Sequence, residues 1–198
     1  MERIENSFIK NHGFARMKEL KESGIHTRKI AEAAKLGIIE KVRPGLYKLV
    51  DYPWDEHSSY VDIAQSKKNA IICLTSALAY YELSTIIPSV ITIAVPMNTD
   101  KFSIEYPPVK VYYFSDKFYF SGIEEINTAS GSFKIYNREK TICDMFRYRN
   151  KLGEDIALEG LKKYINSKNA DLVKLREFAI ICRIYTIISP YIKALVIR

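Results

Sequence analysis

The spacing of apolar residues changes along the first fifty residues and predicts both helices and strands. Apolar side chains three or four positions apart predict helices over residues 2–11, 15–22 and 27–36. Glycines follow each of these segments, at Gly13, Gly24 and Gly37. Beyond Gly37 the pattern predicts two short strands on either side of Arg43-Pro44-Gly45, because Pro and Gly favour the central positions of a tight turn. The order is therefore three helices followed by a hairpin.

The third predicted helix has a boundary signal at each end. Thr27 is the predicted N-cap, because its hydroxyl can accept a hydrogen bond from a free N–H group of the first turn. Gly37 is predicted to end the helix, because the residue after a helix often needs a positive φ. Four residues form the apolar side of this helix: Ile30, Ala33, Ala34 and Leu36. Four charged residues are left to face solvent: Arg28, Lys29, Glu32 and Lys35.

Three helices with a glycine turn before the third, followed by a basic hairpin, predict a winged helix-turn-helix. In such a domain the third helix enters a DNA groove and the hairpin, or wing, lies on flanking phosphates. The residues expected to contact DNA are Arg16 and Lys18 on the second helix, Thr27, Arg28, Lys29 and Lys35 on the third, and Lys41, Arg43 and Lys48 on the wing. The alternative is that these elements form only a small scaffold.

The rest of the chain predicts a second domain. Residues 51–68 are polar at first and contain Pro53, which favours a linker after a first domain of residues 1–50. Within residues 69–198, alternating or β-branched segments predict a small, mostly antiparallel sheet, and helical spacing continues from residue 138 to the end. The fold class is therefore α+β, with terminal helices after the sheet. The predicted strands are 90–95, 109–114 and 133–136, and the predicted helices are 71–83, 138–149, 153–166, 171–181 and 183–196.

The positive charge is concentrated at the start of the chain. The 198 residues carry a net charge of +7. Residues 1–50 contain eleven Lys and Arg against six Asp and Glu, whereas residues 51–198 contain nineteen against seventeen. The first quarter therefore holds +5 of the excess, which favours binding to a polyanion such as nucleic acid. A solvated basic surface is the alternative that charge alone leaves open.

Cysteine usage and hydropathy favour a reduced, cytoplasmic protein without a membrane segment. Cys73, Cys143 and Cys182 are far apart and lie in apolar surroundings, so we expect buried thiols. The first residues lack the apolar core of a signal peptide, and no segment approaches the roughly 18 apolar residues of a membrane helix.

No pattern of catalytic residues emerges, and the sequence predicts no catalytic residue, metal site or cofactor. The one Glu-x-Lys sequence, Glu19-Leu20-Lys21, has no preceding carboxylate strand of the kind that a restriction-type nuclease needs. Gly131-Ser132 is not followed by the paired acids of a nucleotidyltransferase. No phosphate-binding glycine loop is present, and the three histidines are scattered. We therefore expect a protein that is not an enzyme.

Two further blocks of sequence resemble a known family. One is residues 74–83, Leu-Thr-Ser-Ala-Leu-Ala-Tyr-Tyr-Glu-Leu, ahead of Val95-Pro96. The other is residues 138–149, Arg-Glu-Lys-Thr-Ile-Cys-Asp-Met-Phe-Arg-Tyr-Arg, which continues to Tyr164 and is the most specific part. With the predicted winged helix and its Pro-Gly-Leu-Tyr wing, essentially the whole chain resembles the AbiEi-type antitoxins of bacterial abortive-infection systems.

This resemblance implies a repressor and an antitoxin of a phage-defence system. The N-terminal domain would bind double-stranded DNA at the promoter of its own operon, with inverted repeats as the expected operator, and repress transcription. The C-terminal domain would be needed for antitoxin activity. The toxin would be a separate nucleotidyltransferase-like protein, opposed without a stable complex in a type IV arrangement. The alternative is a winged-helix regulator whose C-terminal domain senses a ligand or protein partner, without a toxin.

Three arginines of the second block form a candidate functional surface: Arg138, Arg147 and Arg149. They could contact a polar or nucleic-acid partner. The favoured alternative is an intramolecular network with Glu139 and Asp144, because carboxylates lie within reach along the same helix.

Overall fold

The protein is described by a computed structural model, which covers residues 2–9, 13–52, 55–104 and 106–196. Its described residues form an α+β fold that divides into two compact units. The first unit comprises Met1–Lys68, Phe102–Pro107 and Ile126–Phe133. The second unit comprises Asn69–Lys101, Pro108–Glu125 and Lys134–Arg198. None of the described helices combines the length and the hydropathy needed to span a membrane.

Up to Lys68, the first unit contains four helices and three strands among its described residues. They are α1 (Glu2–Ile9), β1 (Phe14–Arg16), α2 (Met17–Glu22), α3 (Thr27–Lys35), β2 (Ile39–Arg43), β3 (Leu46–Leu49) and α4 (Ser58–Ser66). The strands form an antiparallel sheet in the order β1-β3-β2, in which Phe14 lies opposite Lys48 and Ile39 opposite Leu49. Phe8, Leu20 and Ile30 are fully buried in the core that the helices and the sheet enclose.

Two details at the start of this unit differ from the sequence prediction. Ala15 and Arg16 belong to strand β1, not to the second helix, because they pair with Tyr47 and Leu46 of β3. The N-cap of α3 is His26, not Thr27, which is the first helical residue. His26 has an extended backbone, and its carbonyl accepts a hydrogen bond from Lys29 N at 2.9 Å.

Both predicted glycine positions around the hairpin are confirmed. Gly37, after α3, has a φ of +71°, and Gly45, in the turn between β2 and β3, has a φ of +78°. A side chain at φ values of this kind is strained, whereas glycine is not. Local turn chemistry therefore determines where α3 ends and where the hairpin reverses.

Hydrogen bonds within the first unit join parts of the chain that are distant in sequence. Asp55, just before α4, accepts hydrogen bonds from the backbone N (3.2 Å) and the hydroxyl (3.0 Å) of Ser130. The Tyr52 hydroxyl donates to the Ala129 carbonyl at 3.4 Å. Residues 126–133 are therefore part of this unit through specific contacts and not only through proximity.

The second unit contains a five-stranded sheet and several helices. Residues 126–133, at the loop end of the hairpin formed by its last two strands, belong to the first unit. The strands are β4 (Ile71–Ile72), β5 (Ile91–Pro96), β6 (Val109–Phe114), β7 (Ile123–Thr128) and β8 (Gly131–Tyr136). The helices are α5 (Leu74–Tyr80), α6 (Asp116–Tyr119), α7 (Arg138–Arg147), α8 (Arg149–Leu152), α9 (Glu154–Ile165), α10 (Leu172–Ile181) and α11 (Tyr185–Val196).

The sheet of the second unit is mixed, so the prediction of a mostly antiparallel sheet is wrong. Its order is β6-β5-β4-β8-β7. Strand β4 is antiparallel to β5 but parallel to β8, and β5 is parallel to β6. The reason is that β5 and β6 are joined by residues 97–108, a connection long enough to return the chain to its starting end. A strand pattern in sequence does not specify its partner.

Helix α7 lies at the centre of the second unit. It contacts α5, α9, α10 and α11, and every residue from Glu139 to Phe146 is buried. Asn137 caps its start, because the Asn137 side chain accepts a hydrogen bond from Lys140 N at 2.8 Å. The second sequence block is thus mainly a core element.

Candidate nucleic-acid interface

Helix α3 presents a charged face to solvent. Ile30 and Ala33 are buried against the core of the first unit. The residues on the opposite side are exposed, and they include Thr27, Arg28, Lys29, Glu32 and Lys35. The helix has 3.6 residues per turn, so the apolar residues at positions 30 and 33 fix which side chains point outward. Four of the nine residues expected to contact DNA therefore share one accessible helix.

The β2–β3 hairpin supplies two further cations. Lys41 is exposed and Arg43 is partly exposed. The pairing register shifts between these two residues, which marks a bulge at Val42. The Gly45 carbonyl accepts a hydrogen bond from Met17 N at 2.8 Å, so the turn is tied to the start of α2. The Arg43 Nε atom is buried and has no hydrogen-bond partner among the described residues.

Lys48 does not lie with these exposed cations. It is on β3 with only 7% of its surface exposed. Its Nζ atom lies 3.4 Å from Asp62 Oδ2 of α4 and 3.8 Å from Glu40 Oε2 of β2. Burial raises the pKa of the Asp62 carboxyl above its usual range, although the Lys48 charge acts in the opposite direction. Lys48 is therefore an internal residue of the first unit.

Arg16, the N-cap residue before α2, and Lys18, within α2, differ in their surroundings. Arg16 is partly buried, and its Nη2 atom donates to the Gln65 carbonyl of α4 at 3.2 Å. The Lys18 side chain is 85% exposed and lies 3.8 Å from Glu22, in a pair of exposed charges that contributes little to stability. Lys18 is available to an external phosphate, whereas the guanidinium of Arg16 is already engaged.

The exposed cations suit binding of a polyanion. Arginine can donate two hydrogen bonds to the edge of a guanine, and lysine and arginine bind phosphates. Among the described residues, no group of three or more His, Cys, Asp or Glu side chains is arranged to hold a metal ion. The arrangement offers charge and hydrogen-bond donors on a helix and an adjoining hairpin.

The three arginines near α7 have partners inside the second unit. Arg138 lies over the Tyr81 ring, with its Cζ atom 4.6 Å from the ring centre. Arg147 lies 3.9 Å over Phe118, and its Nη1 atom is 3.9 Å from Asp144 Oδ1. Arg149 donates to the Phe146 carbonyl at 2.9 Å. Of the two expected carboxylates, Asp144 pairs with Arg147.

The other expected carboxylate, Glu139, has different partners. It lies 3.0 Å from Lys174 Nζ and accepts a hydrogen bond from the Tyr164 hydroxyl at 2.8 Å. The tyrosine pKa is raised above its usual range, mainly by burial. Glu139 therefore links α7 to α9 and α10.

An ion pair at the centre of α7 is not among the features that the sequence predicts. Lys140 and Asp144 are both fully buried and form a direct hydrogen bond, and Lys140 Nζ also lies 4.2 Å from the centre of the Tyr136 ring. Their spacing of four residues, with opposite charges, was a visible signal of contact on one helix. That spacing is common on solvent-exposed helices, however, so it does not predict burial.

Comparisons with known proteins find a family match at the start of the chain. Residues 2–50 match the family described as "Transcriptional regulator, AbiEi antitoxin". The resemblance to AbiEi-type antitoxins is confirmed for this segment, which includes α3 and the β2–β3 hairpin. The matched segment ends before residues 74–83 and 138–164. A search of curated proteins gives no significant match.

The fold is similar to that of a solved bacterial protein. The crystal structure of the RV2827C protein from Mycobacterium tuberculosis superposes with a TM-score of 0.52 over 98% of this chain and 80% of that chain. The two sequences are 10% identical. The similarity therefore concerns the fold alone.

Proposed function

We propose that residues 2–50 form a winged helix-turn-helix that binds double-stranded DNA, and that the protein represses transcription of its own operon. The observation that carries this proposal is that α3 and the β2–β3 hairpin expose their cations within the segment that matches the regulator family. In this assignment α3 is the recognition helix and the hairpin is the wing.

The exposed side chains define which residues contact which part of the DNA. Thr27, Arg28, Lys29 and Lys35 enter or flank the major groove. Lys41 and Arg43 on the wing bind phosphates, and Lys18 adds a backbone contact. Arg16 and Lys48 are omitted from this set, because α4 engages both of them. Base contacts then come from α3 and non-specific affinity from the wing.

A salt-titrated binding assay tests this assignment. The full chain is titrated against DNA from just upstream of its own gene and against scrambled DNA of equal length. Arg43→Ala should weaken binding to both DNAs and reduce the slope of log affinity against log salt by about 0.9, the value for one phosphate contact. Arg28→Ala should mainly reduce the preference for the promoter, by about 1–3 kcal/mol.

Lys117→Ala is the matched control, because it removes an exposed cation from the second unit. It should leave affinity, preference and salt slope unchanged. Equal binding of the wild-type protein to both DNAs would refute a specific repressor. Promoter binding that survives both Arg28→Ala and Arg43→Ala would refute the assignment of α3 and the wing.

We further propose that the protein is the antitoxin of an AbiE-like pair, which the family description supports. The toxin would be a nucleotidyltransferase-like protein encoded nearby and opposed without a stable complex. Co-expression of the full chain should rescue growth from that toxin, and the two proteins should not co-purify. The Arg28→Ala, Arg43→Ala double variant should still rescue growth, because repression and antitoxin activity would reside in different domains.

A second function is supported by the extent of the family match. The match ends at residue 50, and in this second function the C-terminal domain, residues 69–198, senses a ligand or a protein partner without a toxin. Promoter binding together with failure to rescue growth from any neighbouring nucleotidyltransferase-like protein would favour this second function. Neither function assigns a catalytic residue to the chain.

A further inference from the structure

Helix α4 holds two of the basic residues that the sequence assigned to DNA. Its Asp62 carboxylate pairs with Lys48 of β3 at 3.4 Å, and its Gln65 carbonyl accepts a hydrogen bond from Arg16 at 3.2 Å. Helix α4 lies beyond residue 50, outside the matched segment. A helix that follows the predicted DNA-binding segment is therefore connected to the sheet from which the wing projects.

The Lys48–Asp62 pair has the properties of a fixed internal contact. Their side chains are 8% and 6% exposed, so both charges have lost most of their hydration. A buried ammonium or carboxylate is unfavourable unless an opposite charge lies beside it, which restricts the two groups to one geometry. The pair therefore fixes β3 against α4.

The position of β3 in turn determines the position of the wing cations. Strand β3 is the central strand of its sheet, and β2 is the edge strand that pairs with it. In the register of this pairing, Lys41 lies opposite Tyr47 and Arg43 opposite Leu46, within two residues of Lys48. A displacement of β3 would move Lys41 and Arg43 with it.

We propose that Lys48 and Asp62 are positioning residues, which hold the wing in the orientation that binds DNA, and that Lys48 itself does not contact DNA. This inference rests on the proposed DNA-binding function. Charge alone suggests that Lys48 binds a phosphate and that Asp62 repels one, and the proposed roles differ from both. Removing the acidic Asp62 should weaken DNA binding, although the protein becomes more positive.

The sign of the effect of Asp62→Asn is the first test. It should lower promoter affinity by about tenfold, within the range of coupling between residues that share a network. Asp51→Asn is the control, because it removes an exposed carboxylate from the same unit. That control should leave affinity unchanged or raise it slightly through reduced repulsion of the phosphates. An Asp62→Asn protein that binds as tightly as wild type or more tightly would overturn the proposal.

The second test separates positioning from direct contact and does not depend on a destabilised variant. The double variant Lys48→Met, Asp62→Leu replaces the ion pair with apolar side chains, an exchange that is often neutral for stability. It removes the Lys48 cation but retains packing between β3 and α4. Positioning predicts affinity and salt slope close to wild type, whereas Lys48→Met alone should weaken binding with an unchanged slope. A slope reduced by about 0.9 in both variants would show that Lys48 contacts a phosphate.

Arg43→Ala, measured in the same series, distinguishes failure of the proposed DNA-binding function from failure of the positioning role alone. If the wild-type protein does not prefer its promoter and Arg43→Ala has no effect, the proposed function fails, and this inference fails with it. If Arg43→Ala weakens binding but Asp62→Asn does not, only the positioning role is refuted.

Discussion

Replacing Lys140 with methionine should destabilise the second unit by about 3–5 kcal/mol, because the Asp144 carboxylate would remain buried without its main partner. Both side chains are fully buried on α7, where they form a direct hydrogen bond. Lys140 Nζ also lies over the rings of Tyr136 and Phe114, at 4.2 and 5.0 Å. Methionine is similar in length, so the expected cost arises from charge and not from a cavity.

The neighbours of Asp144 limit this cost. Arg147 Nη1 lies 3.9 Å from Asp144 Oδ1, and Cys182 Sγ lies 3.9 Å from the same atom. These contacts compensate only in part, because burial raises the pKa of the Asp144 carboxyl above its usual range even beside Lys140. We therefore expect a cost near the lower end of the range.

The cost in Lys140→Met should depend on pH with a defined sign. Without Lys140 the pKa of Asp144 in the folded protein rises further above its value in the unfolded chain. The folded state then binds a proton more tightly, so stability is retained below the ordinary carboxyl pKa of 3.8 and lost as pH rises through the raised value. The variant should therefore approach wild-type stability as pH falls.

Urea unfolding of the full chain, combined with hydrogen exchange of residues 138–147, measures this effect in the second unit. Lys134→Met is the matched control, because it makes the same replacement at an exposed position of β8. It should change stability by less than about 0.5 kcal/mol. The double variant Lys140→Met, Asp144→Leu should lose much less stability than the sum of the losses in Lys140→Met and Asp144→Leu. A loss below about 1 kcal/mol in Lys140→Met at pH 7, or additive losses in the double variant, would refute the argument.

Three further predictions concern a glycine, a helix cap and a surface carboxylate. Gly13→Ala should destabilise the first unit more than Gly45→Ala in thermal unfolding. Both positions have a positive φ, but a Cβ at Gly13 would overlap the Tyr52 ring, whereas a Cβ at Gly45 meets no atom within 4 Å. Equal losses of stability in the two variants would contradict this prediction. Asn137→Ala should lower the free energy of urea unfolding by about 1 kcal/mol, because the N-cap of α7 is lost. Asn137→Asp should keep most of the wild-type stability, because aspartate also accepts the capping hydrogen bond. Hydrogen bonds from the Ser84 hydroxyl and Thr85 N, together with Lys163, lower the pKa of the Glu159 carboxyl to about 2. The NMR chemical shift of the Thr85 amide should therefore titrate near that pH in the wild-type protein and not in Glu159→Gln. The stability that this carboxylate contributes should be complete above its ordinary pKa of 4.5 and lost as pH falls toward 2.

The sequence predicts features that depend on neighbouring residues in the chain. The exposed face of α3 follows from the spacing of Ile30 and Ala33, and the hairpin follows from Pro44 and Gly45. Strand β1 has only three residues and exists because β3 pairs with it, so a periodic pattern could not identify it. The mixed order of the larger sheet likewise depends on contacts between segments far apart in sequence.

The candidate interface was predictable to the same extent. The positive charge of α3 and of the hairpin is evident in the sequence. The burial of Lys48 is not, because its partner Asp62 lies in a segment whose composition indicates a linker. Arg16 is engaged for a similar reason, through the Gln65 carbonyl of the same helix. Charge patterns identify candidate cations, but only tertiary contacts decide which of them reach solvent.

The hydrogen bonds between Asp55 and Ser130 limit how this protein can be rearranged by recombination or protein engineering. A cut after Lys68 keeps every residue that matches the regulator family, but it discards the strand ends that complete the first unit. A chimaera made by joining residues 1–68 to a foreign effector domain would lack the two Ser130 donors and would leave Asp55 only its local hydrogen bonds from His57 N and the Ser58 hydroxyl. The first unit is therefore not a portable module, and its gene segment is expected to exchange together with the segment that encodes residues 126–133.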